Sequence, residues 1–287
     1  MIPAYKDLEQ RYAKFVGSKF AVACNSGTSA LHLALMAIGV KEGDEVIIPD
    51  FSMAACGFSV SYTGAKLVFV DCDDTLCIDP KLIEEKITEK TKAIMAVHIY
   101  GKLCNMKEIT RIAKKHKLKV IEDACEAQGA VYKSKADITC YSFYENKIIH
   151  AEEGGICTTN IRKYVDRMNY LKDMAYGKKH DFFHKEIGYN YRMPNSQAKM
   201  ALESLANYPK ENERRRKIEK DFYGKNKLDA VWVLPYFKLS IFDIPIIIDG
   251  VDSRPFFKPL STFPMYGGKC QSKKARYYSN KGLYLKI

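Results

Sequence analysis

Apolar positions recur along the first two hundred residues in two alternating rhythms, one helical and one of short unbroken runs. Tyr5, Leu8, Tyr12, Phe15 and Val16 share one face of a helix over 4–16. A buried strand over 21–24 then leads through Asn25-Ser26-Gly27 into an apolar helix reaching Leu35. Runs at 45–49, 66–71, 93–98 and 118–122 read as strands. Helices at 53–62, 80–87 and 106–116 separate them, a strand covers 136–142 and a helix follows at 161–175. Strand–helix alternation of this kind predicts right-handed crossovers and a largely parallel sheet in an α/β fold. Beyond residue 206 the rhythm changes. A helix carrying Arg214-Arg215-Arg216-Lys217 runs to about Tyr223, and short strands follow at 231–234 and 241–248.

In a parallel sheet, ligands collect outside the carboxyl ends of the strands. Pro49-Asp50-Phe51-Ser52-Met53, His98-Ile99-Tyr100-Gly101 and Asp123 all fall at such ends, which predicts one shared pocket. Two further stretches bear on its chemistry. Val120-Ile121-Glu122-Asp123 is an apolar strand that ends in acids, and a buried carboxylate needs a partner such as a pyridinium nitrogen. Tyr141-Ser142-Phe143-Tyr144-Glu145-Asn146-Lys147 places one lysine after an aromatic run, where burial favours the nucleophilic free amine. Taken singly, each has an ordinary structural reading: a solvated lysine and a helix-capping aspartate. Ser26, Gly27, Thr28 and Ser29 open a helix whose free N–H groups suit a phosphate, although an ordinary serine cap explains them too. His32, inside that helix, reads as packing.

Composition narrows the class without changing the picture. The 287 residues allow a large domain over 1–205 and a smaller one over 206–287. Nine scattered cysteines form no Cys-x-x-Cys pair and no zinc pattern, which fits reduced thiols and a cytoplasmic location. Neither a signal peptide nor a membrane span is expected. The net charge of +12 is uneven, with 26 Lys/Arg against 13 Asp/Glu over 161–287. No nucleic-acid motif accompanies that excess, so it reads as help for a phosphorylated small molecule. Lys178, Lys179 and His180 are expected in a mobile basic turn.

Ile121-Glu122-Asp123-Ala124, Ser142-Phe143-Tyr144, Asn146-Lys147 and Glu153-Gly154-Gly155, in that order, resemble the DegT/DnrJ/EryC1/StrS sugar aminotransferases. The resemblance runs from about residue 7 to about 206 and resumes around Arg254-Pro255-Phe256-Phe257-Lys258-Pro259-Leu260, where it is nearest to perosamine-type 4-aminotransferases. It implies a fold-type I enzyme dependent on pyridoxal 5′-phosphate, with a mostly parallel central sheet and a reduced C-terminal α+β domain. The implied reaction moves an amino group from L-glutamate to a nucleotide-linked 4-keto-6-deoxy sugar, with pyridoxamine phosphate as the intermediate cofactor form.

By the same resemblance Lys147 binds the cofactor aldehyde and acts as the base, and Asp123 holds the ring nitrogen. Gly27, Thr28, Ser29 and Ser142 seat the phosphate, and Met53 covers the ring where many relatives carry an aromatic residue. Glu126 falls near the phenolic oxygen and is expected protonated or turned toward a donor. Asn190 would reach the cofactor of a second subunit, which implies a homodimer with shared sites. Tyr100, His150, Arg192 and Arg254 are candidates for substrate contact; for Arg192 a structural ion pair is an equal alternative. The chain departs from the family at His150-Ala151-Glu152, in a shortened 130–137 link, in a trimmed small domain, and in the missing N-terminal lead and C-terminal helix. Those departures leave open a catalytically silent or regulatory cofactor-binding protein. A 3-keto-sugar aminotransferase also stays open, while Lys147 argues against a pyridoxamine-dependent dehydratase.

Overall fold

The computed structural model describes residues 2–177, 182–237 and 253–287. α1 (Ala4–Val16) buries Leu8, Tyr12 and Val16 and stops at Gly17, whose φ of 70° is the left-handed terminus that glycine permits. There follow β1 (Phe20–Cys24), α2 (Gly27–Ala37), β2 (Glu45–Pro49), α3 (Ala54–Ser61), β3 (Lys66–Val70), β4 (Thr91–Val97), α4 (Met106–Lys115), β5 (Lys119–Asp123), β6 (Ile138–Ser142), β7 (Gly155–Thr159) and α5 (Arg162–Lys172). The seven strands form one sheet in the order β1-β7-β6-β5-β4-β2-β3. Its β3-β2-β4-β5-β6 part is parallel, whereas β7 runs antiparallel to both β6 and β1.

Strand β6 shows how the sheet divides the interior. Cys140 joins the core that includes α2 and α5, and Tyr141 joins the core formed with α1 and the later helix α6 (Asn195–Tyr223). Tyr12 meets Tyr141 and Phe143 edge-on at 5.1 and 5.3 Å between ring centres. The remaining elements are β8 (Leu234–Phe237), β9 (Ser253–Pro255), α7 (Lys273–Lys281) and β10 (Gly282–Leu285). Their strands make a second, antiparallel sheet in the order β8-β10-β9. Buried Asp50, just past β2, ties this region to the large sheet, accepting from the Ser261 N–H at 2.8 Å and from its hydroxyl at 2.7 Å.

Three readings of the sequence need correction. The stretch 80–87 is two 3-10 turns, Pro80–Leu82 and Glu84–Lys86, closed by i→i+3 bonds such as those from the Leu82 N–H to the Asp79 carbonyl and from the Lys86 N–H to the Ile83 carbonyl. The strand expected at 231–234 begins instead at Leu234, since the Val231 and Trp232 carbonyls are taken by the Arg215 guanidinium. The helix expected after residue 206 already begins at Asn195 and continues through Pro209, so position 205/206 lies inside α6. Strand β7 was not foreseen, nor was α7 in the C-terminal region. The strand expected at 241–248 and the basic turn at Lys178, Lys179 and His180 lie outside the described residues.

Candidate active site

The carboxyl ends of β2, β4, β5 and β6 and the N-terminus of α2 surround a cavity of about 490 Å³, within the range of small-molecule sites. Lys147 enters it from the turn after β6. That turn is held by Gln128, which is buried and donates from Nε2 to the carbonyls of Ser142 (2.8 Å) and Ile149 (3.1 Å). Its Oε1 accepts from the Ile149 N–H at 2.9 Å. Ile148 and Ile149 bury their side chains and so anchor the loop on the far side of the lysine. Lys147 is 8% exposed, and its Nζ sits 3.8 Å from the centre of the Trp232 ring.

Alternation along β5 sends its two acids to opposite sides. Glu122 points away from the cavity, accepting from the Thr139 hydroxyl at 2.9 Å and bonding His98 Nε2 at 3.0 Å. Because His98 Nδ1 accepts from the Cys104 N–H, the ring proton belongs on Nε2, directed at Glu122. Asp123, 5% exposed, lines the cavity. Its Oδ1 accepts from the Cys125 N–H at 3.0 Å and its Oδ2 from the Cys56 thiol at 3.2 Å. Burial first, and the Asp123 charge second, push the Cys56 and Cys125 thiols up, so both stay protonated. Glu126 shares the wall. Burial pushes its carboxyl up to about 7, against a smaller lowering by Lys147, and one oxygen accepts from the Tyr100 N–H at 2.7 Å.

At the tip of α2 the Ser26 hydroxyl accepts from the Ser29 N–H at 3.0 Å, and the Ser26 carbonyl from the Ala30 N–H at 3.0 Å. The N–H groups of Gly27 and Thr28 have no acceptor among the described residues, as the first turn of a helix requires. Gly27 is packed so closely on β6 that an added Cβ would lie 2.8 Å from that of Ser142. The Ser142 oxygen accepts from the Tyr144 N–H at 3.2 Å, which leaves its hydroxyl hydrogen free to donate into the cavity. N–H groups, a hydroxyl and the positive end of the helix dipole therefore converge on one spot.

Of the residues singled out by sequence, Gly27, Thr28, Met53, Asp123, Glu126, Ser142, Lys147 and Arg254 meet at this cavity. Ser29 is turned inward, its hydroxyl 2.9 Å from that of Ser26. Tyr100 is buried behind the wall, where its hydroxyl accepts from the Phe257 N–H at 2.8 Å. His150 is exposed and donates its backbone N–H to Ser204. Arg192 is exposed and pairs with Asp173 at 2.7 Å while donating to Asn190 Oδ1. His32 is packing: burial lowers its pKa to about 4, and it lies edge-on to Tyr62, Tyr189 and Tyr191.

Sequence reasoning missed Gln128, Cys56, Trp232 and Tyr284. Their partners are remote in the chain, and only the singleness of Trp232 offered a signal. Among the described residues no group of three or more His, Cys, Asp and Glu side chains could hold a metal, and no helix is long and apolar enough to cross a membrane.

Comparison with known proteins places residues 2–228 in a match to the DegT/DnrJ/EryC1/StrS aminotransferase family. GDP-perosamine synthase of Escherichia coli O157:H7 is 39% identical over 287 residues, covering 92% of this chain and 79% of that protein. GDP-perosamine synthase of Caulobacter vibrioides is 44% identical over 205 residues, 69% of this chain and 55% of its own length. The crystal structure of NtdA from Bacillus subtilis with bound cofactor PMP superposes with a TM-score of 0.83 at 28% identity, covering 100% of this chain and 73% of that one.

Proposed function

The chain belongs to the DegT/DnrJ/EryC1/StrS aminotransferase family, and we propose that it carries the amino group of L-glutamate to a 4-keto-6-deoxy sugar held on a nucleoside diphosphate, in the manner of GDP-perosamine synthesis. Pyridoxal 5′-phosphate is the cofactor this reading requires, and the residues fit it. The unused N–H groups of Gly27 and Thr28 with the Ser142 hydroxyl suit its phosphate, and the buried Asp123 carboxylate suits a protonated ring nitrogen. When bound, the group supplies an aldehyde for an amine and an electron sink for the carbanion left when Cα loses its proton.

The remaining steps belong to the protein. Lys147 would hold the cofactor through Nζ and, once the amine of glutamate takes that place, would carry the Cα proton on the same nitrogen. Asp123 would hold the protonated ring nitrogen; its oxygens, which also accept from the Cys56 thiol and the Cys125 N–H, have further lone pairs for that bond. Glu126, which holds its proton near neutrality, would present a donor to the phenolic oxygen. Met53, on the cavity wall, would cover the ring by dispersion and sulfur–aromatic contact. Arg254 lines the cavity wall and suits a carboxylate or diphosphate oxygen.

Asn190 lies outside its own cavity beside Arg192, and we assign it to the site of a second copy, in a homodimer with shared sites. The second sheet and its flanking turns make up the reduced small domain. The working compartment in this reading is the cytoplasm, with no membrane or nucleic acid as partner.

The single observation that carries the reading is the convergence of a buried Lys147 amine, the Asp123 carboxylate and a phosphate seat on one cavity. Purified protein should take up pyridoxal 5′-phosphate with a visible absorbance that bleaches when L-glutamate is added. Lys147→Ala should lose both signals and all turnover with GDP- or dTDP-linked 4-keto-6-deoxyhexoses, followed by mass spectrometry. Turnover by the alanine variant would refute the proposal.

A further inference from the structure

Trp232 is the only tryptophan of the chain, and the reaction as derived makes no use of it. It stands in the irregular segment between α6 and β8, buried on the cavity wall. Its ring faces Lys147 Nζ at 3.8 Å. Several contacts fix that orientation. The indole N–H donates to Oδ1 of Asn146, the residue before the lysine, at 3.4 Å. Tyr100 is stacked on the ring at 6.1 Å with an interplanar angle of 13°, and Tyr284 lies at 5.7 Å. The Trp232 carbonyl accepts from Arg215 Nη1 at 3.1 Å, so the backbone is pinned as well.

An aromatic face attracts an ammonium through its quadrupole, and a neutral amine gains little from the same contact. We infer that Trp232 is a positioning residue whose π face is the berth of the Lys147 amine in its proton-loaded form. The inference rests on the proposed role of Lys147. Attachment of the cofactor joins the neutral nitrogen to the aldehyde carbon, and both amine hydrogens leave with the aldehyde oxygen as water. The ring contact is given up in that step and therefore opposes it. Capture of the Cα proton has the reverse sign, because the nitrogen becomes an ammonium and regains the ring.

Loss of the ring would also free the lysine rotamer, but Lys147 is held by its buried loop, so little of that entropy returns. The charge effect dominates. Trp232→Leu should bind pyridoxal 5′-phosphate about tenfold more tightly and run the half-reaction with saturating L-glutamate about tenfold more slowly. Trp232→Phe, which keeps a face, should stay within about threefold of the parent in both. Affinity is read from visible absorbance and, in the parent, from quenching of its single tryptophan emission; the half-reaction is read from bleaching in a stopped flow. Should the leucine variant fail to give the parent circular dichroism, Trp232→Met fills the volume without a π face and decides the matter.

A leucine or methionine variant that matches the parent, or that binds the cofactor more weakly, overturns the inference, as does a phenylalanine variant altered as much as leucine. A parent protein that takes up no cofactor overturns the reading of Lys147 itself. A reactive parent beside an indifferent Trp232→Leu leaves that reading intact and removes this inference alone.

Discussion

Glu126 is held in an environment that its charged form disfavours. The carboxyl is buried and its pKa is raised to about 7, so the folded chain binds a proton that the unfolded chain has already released. Stability must then fall as pH rises from the ordinary carboxylate range through about 7, and the full cost is present above it. Glu126→Gln removes that dependence. Between about pH 5 and 8 the cofactor-free variant should gain up to about 3 kcal/mol relative to the parent, measured by denaturant unfolding at both pH values. Parallel pH profiles for the two proteins would contradict this. The family resemblance signalled the tension at Glu126, because it puts an acid near the cofactor's phenolic oxygen. It gave no sign of the Tyr100 N–H that holds one oxygen, since residues 26 positions apart meet only after β4 and β5 have paired.

At the scale of elements, the join between α2, β6 and β7 decides whether the anion seat exists. Cross-strand pairing puts Gly155 opposite both Cys24 and Ser142, directly beneath the start of α2. A Cβ there would lie 2.3 Å from the Ser26 carbonyl oxygen and 2.9 Å from the Gly27 nitrogen, both of them backbone atoms with no rotamer to yield. Gly155→Ala should therefore cost about 1–3 kcal/mol and lift the helix tip from its place. Its cofactor affinity should fall more than its melting temperature alone explains, as titration beside thermal unfolding would reveal; an unchanged affinity would count against the seat. Helices α1 to α5 were legible from apolar periodicity. Strand β7 was not, because its Gly-Gly entry reads as a turn while its strand character comes from being clasped between β1 and β6. The region 80–87 failed in the other direction, as apolar spacing whose backbone closes two separate 3-10 turns.

For the whole molecule, the open question is whether one site needs two chains. Asn190 and Arg192 lie together on the surface, bridged to Asp173 and away from the cavity of their own chain. Phe182, Phe183 and Ile187, a few residues before them, are largely exposed. If Asn190 serves a second copy, Lys147→Ala and Asn190→Ala proteins should each be inactive alone. Mixed after dissociation, they should recover about a quarter of wild-type activity, because half of the dimers are mixed and each carries one intact site. No recovery, with mixed dimers demonstrated by differential tagging, would place Asn190 outside the catalytic assembly.

The sequence by itself determined the alternation of strands and helices, the acids at the end of β5, the lysine after β6 and the glycine at the mouth of α2. Those features depend on local periodicity and on which residue types tolerate a strand end or a helix start. Tertiary structure alone decided that Gln128 would clamp the lysine loop, that Tyr284 would come back to the cavity, and that Trp232 would lay its ring against Lys147. Such contacts join positions far apart in the chain. They are fixed by how two sheets and their helices pack, and no stretch of neighbouring residues records that.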